Sequence, residues 1–137
     1  TLRNGLNNDL NFSEEDRNEN IRRVSETSKI LLNNGVVTLC SFITPLEKNR
    51  DLVNSIIGRE NILWVFVDTP LDICSKRDTK GLYKLAEKGE IDQFTGVSSL
   101  FENPSNVDFI SDYKENIKHV TEILSNLILK KIHLNDR

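Results

Sequence analysis

The sequence predicts an α/β domain built on a parallel sheet. Two apolar runs, Val36-Val-Thr-Leu-Cys-Ser-Phe42 and Ile62-Leu-Trp-Val-Phe-Val67, are hydrophobic on both faces, as strands covered by helices on two sides must be. Segments with helical spacing alternate with them, which is the pattern of a layered α/β architecture rather than of separate helical and strand regions. With 137 residues and 37% hydrophobic content, the chain is long enough for one core and too short to suggest two.

Ser13 has the features of a helix N-cap, followed by Glu14, Glu15 and Asp16, and Ile21, Val24, Ser28 and Leu31 recur at helical spacing until Gly35. The run 36–42 follows as a strand, ended by Thr44 and Pro45. Leu46 to Ile57 reads as a second helix closed by Gly58, and Ile62 to Val67 as a second buried strand, giving strand, crossover helix and parallel strand. Pro70 opens a short helix to about Arg77. Asp78 to Asn106 is polar, with Gly81, Gly89 and Gly96 along it, and its length suggests a mobile lid. Val107 to Ile110 is a last strand candidate, and Asp112 is the expected cap of a terminal helix striped by Ile117, Val120, Leu124, Leu127 and Ile128. An alternation that begins with a helix implies that at least one strand is missing on the N-terminal side of a doubly wound sheet.

Composition excludes several function classes. Eighteen Lys and Arg against 21 Asp and Glu leave a net charge of −3, so no whole-molecule field attracts a nucleic-acid backbone or an acidic membrane. The longest apolar run, 62–67, falls far short of the roughly 20 residues a spanning helix needs, and no signal-like segment opens the chain, so the expectation is a soluble cytoplasmic protein. Cys40 and Cys74 lack a CxxC spacing and are expected as buried, reduced thiols. His119 and His133 have no partners at ligand spacing and are expected to be solvated, so no metal site is predicted; Trp64 is expected in the core.

In open α/β sheets ligands collect at the carboxyl ends of strands, which singles out Ile43-Thr44-Pro45 and Asp68-Thr69-Pro70. The six glycines contain no GxxxxGK[ST] pair, so the chain holds no phosphate-cradling loop of that kind. Taken singly, Arg17, Arg22 and Arg23 among acidic neighbours read as a salt-bridged helix face. Phe12 reads as a hydrophobic staple beside Ser13, Phe94 as a minor core residue and Lys80 as an exposed lysine.

Read together and in order, these residues carry a resemblance. Thr1-Leu-Arg-Asn-Gly-Leu-Asn7 and Asn11-Phe-Ser-Glu-Glu-Asp-Arg-Asn-Glu-Asn-Ile-Arg-Arg23 are similar to DGDNxRxGLN and GFSxxDRxENxRR of the adenylylsulfate kinase family. Ser41-Phe-Ile-Thr-Pro45 resembles that family's SFISP, Val65-Phe-Val-Asp68 its VFVD and Arg77-Asp-Thr-Lys-Gly-Leu-Tyr-Lys84 its RDPKGLYK, with Gly89-Glu-Ile-Asp-Gln-Phe-Thr-Gly96 completing the series. The resemblance covers residues 1 to about 104.

It implies a P-loop nucleotide kinase-like three-layer sandwich, here without its first strand and P-loop, over 1–137, with the lid at about 78–106. It also implies transfer of the γ-phosphoryl of MgATP to the 3′-hydroxyl of adenosine 5′-phosphosulfate, giving 3′-phosphoadenosine 5′-phosphosulfate for sulfate assimilation. The matching substrate-binding positions are Arg3, Phe12, Arg17, Asn20, Ile43, Thr44, Lys80 and Phe94. Thr44 stands where some members carry a phosphorylatable serine. The adenine is expected between Phe12 and Phe94 with the lid closed. A homodimer, and fusion or association with sulfate adenylyltransferase, are arrangements that the family allows; a non-catalytic nucleotide-binding or regulatory remnant is the alternative. Two departures fall in the lid, where Leu85 and Glu87 replace a lysine and an arginine of the family pattern. Without a P-loop or the DGD aspartates, the 137 residues alone are expected to be inactive.

Overall fold

The structure is a computed structural model that describes residues 2–135, with side chains placed through Ile132. A 3-10 turn, Leu2–Asn4, leads into helix α1, Glu14–Asn33. Ser13 caps it as expected, its Oγ accepting from the Asp16 amide at 3.1 Å. One face of α1, made by Asn20, Ile21, Val24, Ser25 and Ser28, is buried. The helix stops where Gly35 adopts φ +74°, a left-handed conformation that lets the Val36 amide turn back to the Leu31 carbonyl at 3.0 Å.

Helix α2, Glu47–Ile57, packs against α1 and ends at Gly58. Strand β1, Val65–Asp68, precedes α3, Leu71–Arg77, and α4, Leu82–Glu87. Strand β2, Phe109–Asp112, pairs in parallel with β1, in the register Val65↔Phe109 to Asp68↔Asp112, and α5, Ile117–Asn135, closes the described chain. Asp108 fastens the entrance of this pair. Its carboxylate accepts from the Trp64 amide at 2.7 Å and from Arg59 at 3.0 Å. Burial pushes its pKa up, but the Arg59 and Trp64 hydrogen bonds outweigh burial and hold it below the usual carboxylate value.

The α/β class and the parallel pairing agree with the sequence, but the strands are not where hydrophobicity placed them. Residues 36–42 form no ladder among the described residues, and Leu39 is 83% exposed. A doubly apolar run needs a partner at its edge and cover on its faces; the described elements supply no strand beside it, and α1 touches it through Ser28, whose Oγ lies 3.4 Å from Cys40 Sγ. The parallel pair is therefore β1–β2, joined through α3 and α4, and not 36–42 with 62–67. The second strand begins at Val65 rather than Ile62 and is half-buried to exposed, not fully buried. The last strand lies two residues later than expected.

Smaller corrections follow from these. Cys40, on the unpaired run, is exposed, and Cys74 is half-buried, so neither thiol is in a closed core. Trp64 sits just before β1, half-buried, with its indole N–H donating to Asn54 Oδ1 at 2.9 Å. Asp112 ends β2 and shapes a turn by accepting from the Lys114 amide; Asn116, accepting from the Lys118 amide at 2.9 Å, stands at the start of α5. Along α5, Val120, Leu124, Leu127 and Ile128 are half-buried, whereas Ile117 is exposed. His119 is exposed as expected, and the His133 side chain lies outside the described residues. Among the described residues, no helix is long and apolar enough to cross a membrane.

Candidate substrate site

The loop before α1 is strapped to the helix by charge. Arg23 donates to both Asp9 oxygens at 2.7 and 2.8 Å, to the Leu6 carbonyl at 3.0 Å and to Glu19 at 2.8 Å. Arg22 grips the same Glu19 through two bonds of 2.7 and 2.8 Å. The salt-bridged face read from the sequence is thus present, and its Arg23 end also fixes the loop that carries Arg3 and Asn7. Hydrogen bonds from Arg22, then Arg23, lower the Glu19 carboxyl from 4.5 to about 2.

A depressed carboxyl pKa contributes stability above the unfolded value and loses it as pH falls through the folded value. The difference in urea midpoint between the wild type and Glu19→Gln should therefore be constant above pH 4.5 and close between pH 4.5 and about 2. A difference that persisted unchanged at pH 2 would contradict this assignment.

Arg3 donates to the Leu10 and Asn11 carbonyls at 3.1 and 2.8 Å, and its guanidinium carbon lies 4.5 Å from the centroid of the Phe12 ring. Phe12 is 65% exposed, so it presents an open aromatic face rather than a buried staple. Arg17, one turn into α1, donates to the Phe12 carbonyl at 3.0 Å, to Thr95 Oγ1 at 3.0 Å and to the Gln93 carbonyl. Gln93 and Thr95 flank Phe94, so one guanidinium connects the two phenylalanine segments across 82 positions of sequence, Phe12 to Phe94. Gln93 adopts φ +54° and its carbonyl also accepts from Ser99 Oγ at 2.9 Å. Gly96 follows at φ +85°, where a Cβ would come within 3.0 Å of Leu71 Cδ1, so this turn seats closely on α3.

Phe94 meets Tyr83 edge-on, with centroids 5.0 Å apart. Both line a cleft of ≈ 330 Å³ together with Cys74, Arg77 and Lys80. Burial first, and then the nearby Cys74 thiol, raise the Tyr83 hydroxyl above its ordinary pKa, so it remains a neutral donor at physiological pH. Segment 78–106 is not featureless, since it contains α4 and a parallel bridge between Thr95 and Ser99. Leu85 is half-buried on α4, and Glu87 accepts from Ser75 Oγ of α3 at 3.3 Å. At these two departures a contact with the protein's own framework replaces positive charge.

The remaining positions make contacts of their own. Asn20 is buried, its Oδ1 accepting from Asn7 Nδ2 at 2.9 Å, and Asn7 Oδ1 is buried with no hydrogen-bond partner among the described residues. Ile43 is exposed, and the Thr44 carbonyl accepts from Arg50 at 2.7 Å.

The family model for adenylylsulphate kinase matches residues 1–112. The chain belongs to the adenylylsulfate kinase family. It is 46% identical over 132 residues to the adenylyl-sulfate kinase of Bacteroides thetaiotaomicron, covering 96% of this chain and 66% of that protein. To the adenylyl-sulfate kinase of Buchnera aphidicola it is 43% identical, covering 91% of this chain and 63% of that protein. The chain thus spans just under two thirds of the length of these curated relatives. Among solved structures, the Mycobacterium tuberculosis APS kinase in complex with AMPPNP and APS superposes with a TM-score of 0.87 at 40% identity, over 93% of this chain and 75% of that one. The fold is accordingly the P-loop nucleotide kinase-like α/β fold of that family.

Several residues that organise the family's motifs here were not assigned from sequence. Asn7 and Tyr83 lie inside the motifs, but neither carries the charge that marks Arg3, Arg17 and Lys80. Thr95 and Gln93 could be paired with Arg17 only once the chain was folded. Arg50 did leave a signal: with Leu46, Val53 and Ile57 it falls on the helical spacing of the α2 face that should be apolar.

Proposed function

We propose that this chain is the adenosine 5′-phosphosulfate-binding portion of an adenylylsulfate kinase, which phosphorylates the 3′-hydroxyl of that nucleotide to give 3′-phosphoadenosine 5′-phosphosulfate. The observation that carries the reading is Arg17, whose guanidinium joins the Phe12 segment to both neighbours of Phe94. Arg3 and Arg17 offer planar forks of donors suited to phosphate and sulfate oxygens. Phe12, open and backed by Arg3, offers a face for a purine, and Phe94 offers the second. Arg77 and Lys80, against the single carboxylate of Asp78, leave the neighbouring cleft net positive, which suits nucleotide phosphates.

Phosphoryl transfer demands positioning and charge stabilisation more than covalent help, and these residues supply both for the acceptor nucleotide. Residues 78–106 act as the lid, and closing it on Phe12 excludes water from the reacting groups. MgATP supplies the phosphoryl group and the metal's positive charge; the residues that hold it are not assigned in this chain. Thr44, held through its own carbonyl, serves as a backbone contact to substrate. The reading extends to a cytoplasmic homodimer that works in sulfate assimilation beside sulfate adenylyltransferase.

The test is formation of 3′-phosphoadenosine phosphosulfate from MgATP and adenosine phosphosulfate by the product of the gene encoding this chain and, in parallel, by the 137 residues alone. Turnover by the gene product with none from the 137 residues is the expected result. Binding of adenosine phosphosulfate with no turnover by either would favour a non-catalytic binding role.

A further inference from the structure

The stretch from Thr44 to Arg50 and the distant Glu102 meet at one buried cation. Arg50, in the first turns of α2, is 5% exposed. Its Nε and Nη2 donate to Glu47 Oε2 at 3.0 and 2.7 Å. Its Nη1 donates to the Thr44 carbonyl at 2.7 Å, and its Nη2 also reaches the Glu102 carbonyl at 3.1 Å. Two further bonds tie the same segments together: the Glu102 amide donates to the Pro45 carbonyl at 2.7 Å, and the Glu47 amide to Glu102 Oε2 at 2.6 Å. The second is a cap supplied from outside the helix, since the Glu47 N–H belongs to the first turn of α2 and has no intrahelical partner. Behind it, Asn49 is also buried, accepts from the Leu46 amide at 3.1 Å and donates to Asn18 of α1.

We propose that Arg50 is a positioning residue, which fastens the C-terminal root of the lid, at Glu102, to the Ile43-Thr44-Pro45 turn. The inference rests on the function proposed above, in which the turn contacts substrate and 78–106 is the lid. The planar guanidinium satisfies acceptors at Thr44, Glu47 and Glu102 at once. A lysine ammonium would keep the charge beside Glu47 but could not span carbonyls at both Thr44 and Glu102. The turn and the lid root therefore hold one geometry relative to α1, and the lid moves about a fixed hinge.

Hydrogen exchange on the gene product tests the clamp without any ligand. In Arg50→Lys, the Glu102 and Glu47 amides should exchange at least tenfold faster, while amides of Val24 to Ser28 in α1 stay within twofold of wild type. Glu102→Ala, at an exposed position, should free the Glu47 amide alone, because only its acceptor is removed. Unchanged exchange at both amides in Arg50→Lys, or an equal acceleration in α1, would overturn the proposal, the latter by showing that Arg50 merely supports the whole fold. Calorimetry with adenosine phosphosulfate supplies the second readout. Affinity should fall at least fivefold in Arg50→Lys with α1 protection intact, and an unchanged affinity would remove the positioning role. A wild-type chain that bound no adenosine phosphosulfate would count against the proposed function, and the exchange data would still decide whether the clamp exists.

Discussion

Arg17→Ala should lower kcat/KM for adenosine phosphosulfate roughly 10- to 100-fold in the gene product, the range expected for removing charge-assisted hydrogen bonds of about 1.5–3 kcal/mol. Two effects combine. On the proposed function the nucleotide's anionic oxygens lose a donor fork, and segment 78–106 loses its attachment at Gln93 and Thr95. They separate experimentally. Arg17→Lys keeps the positive charge but not the fork, so it should restore only part of the affinity and little of the lid attachment. Thr95→Val removes the attachment at Thr95 and leaves the guanidinium free to meet substrate, so it should produce the smaller loss. If the loss in Arg17→Ala falls on KM with kcat preserved, Arg17 binds ground state and transition state alike; a parallel loss of kcat would mean that the grip tightens during transfer. Unchanged kcat/KM in Arg17→Ala would remove Arg17 from the site.

The legibility of this molecule in its sequence divides along physical lines. Helix α1 was readable because its signals are local: the Ser13 cap, the acidic first turn, the apolar spacing and Gly35 all lie within one segment. The strands were readable as apolar runs but not as pairs, since pairing is a long-range property. Val36 to Phe42 has the composition of a central strand and, among the described residues, no strand beside it. The motif residues Arg3, Phe12, Arg17 and Phe94 were named from the order of their motifs, whereas the link between Phe12 and Phe94 came only from the Arg17 geometry. The buried polar groups were the least legible. Arg50 and Asn7 look like surface residues by type, and burial of such groups depends on partners, Glu102 and Asn20, that lie 52 and 13 positions away.

Asn7→Ala should destabilise the fold by about 2 kcal/mol, read as a lower urea midpoint with an unchanged slope. Asn7 is fully buried and donates to Asn20 Oδ1, which is itself buried, so the substitution strips a buried acceptor of its donor and leaves a small void. One part of the change runs the other way: Asn7 Oδ1 has no partner among the described residues, and deleting it removes an existing cost. The net effect is therefore expected in the middle of the usual range of about 1–3 kcal/mol rather than at its top. Asn20→Ala should cost a similar amount by stranding the Asn7 amide. Combining the two should cost less than their sum by about 1 kcal/mol, because each single change leaves an unpaired group that the double change removes. Strict additivity would mean that the 2.9 Å contact carries no coupling. Asn7 never needs to touch substrate in this scheme. By holding Asn20 Oδ1 it fixes which way that amide points, so Asn7→Ala should also raise KM for adenosine phosphosulfate while kcat stays close to wild type at temperatures where the variant is folded.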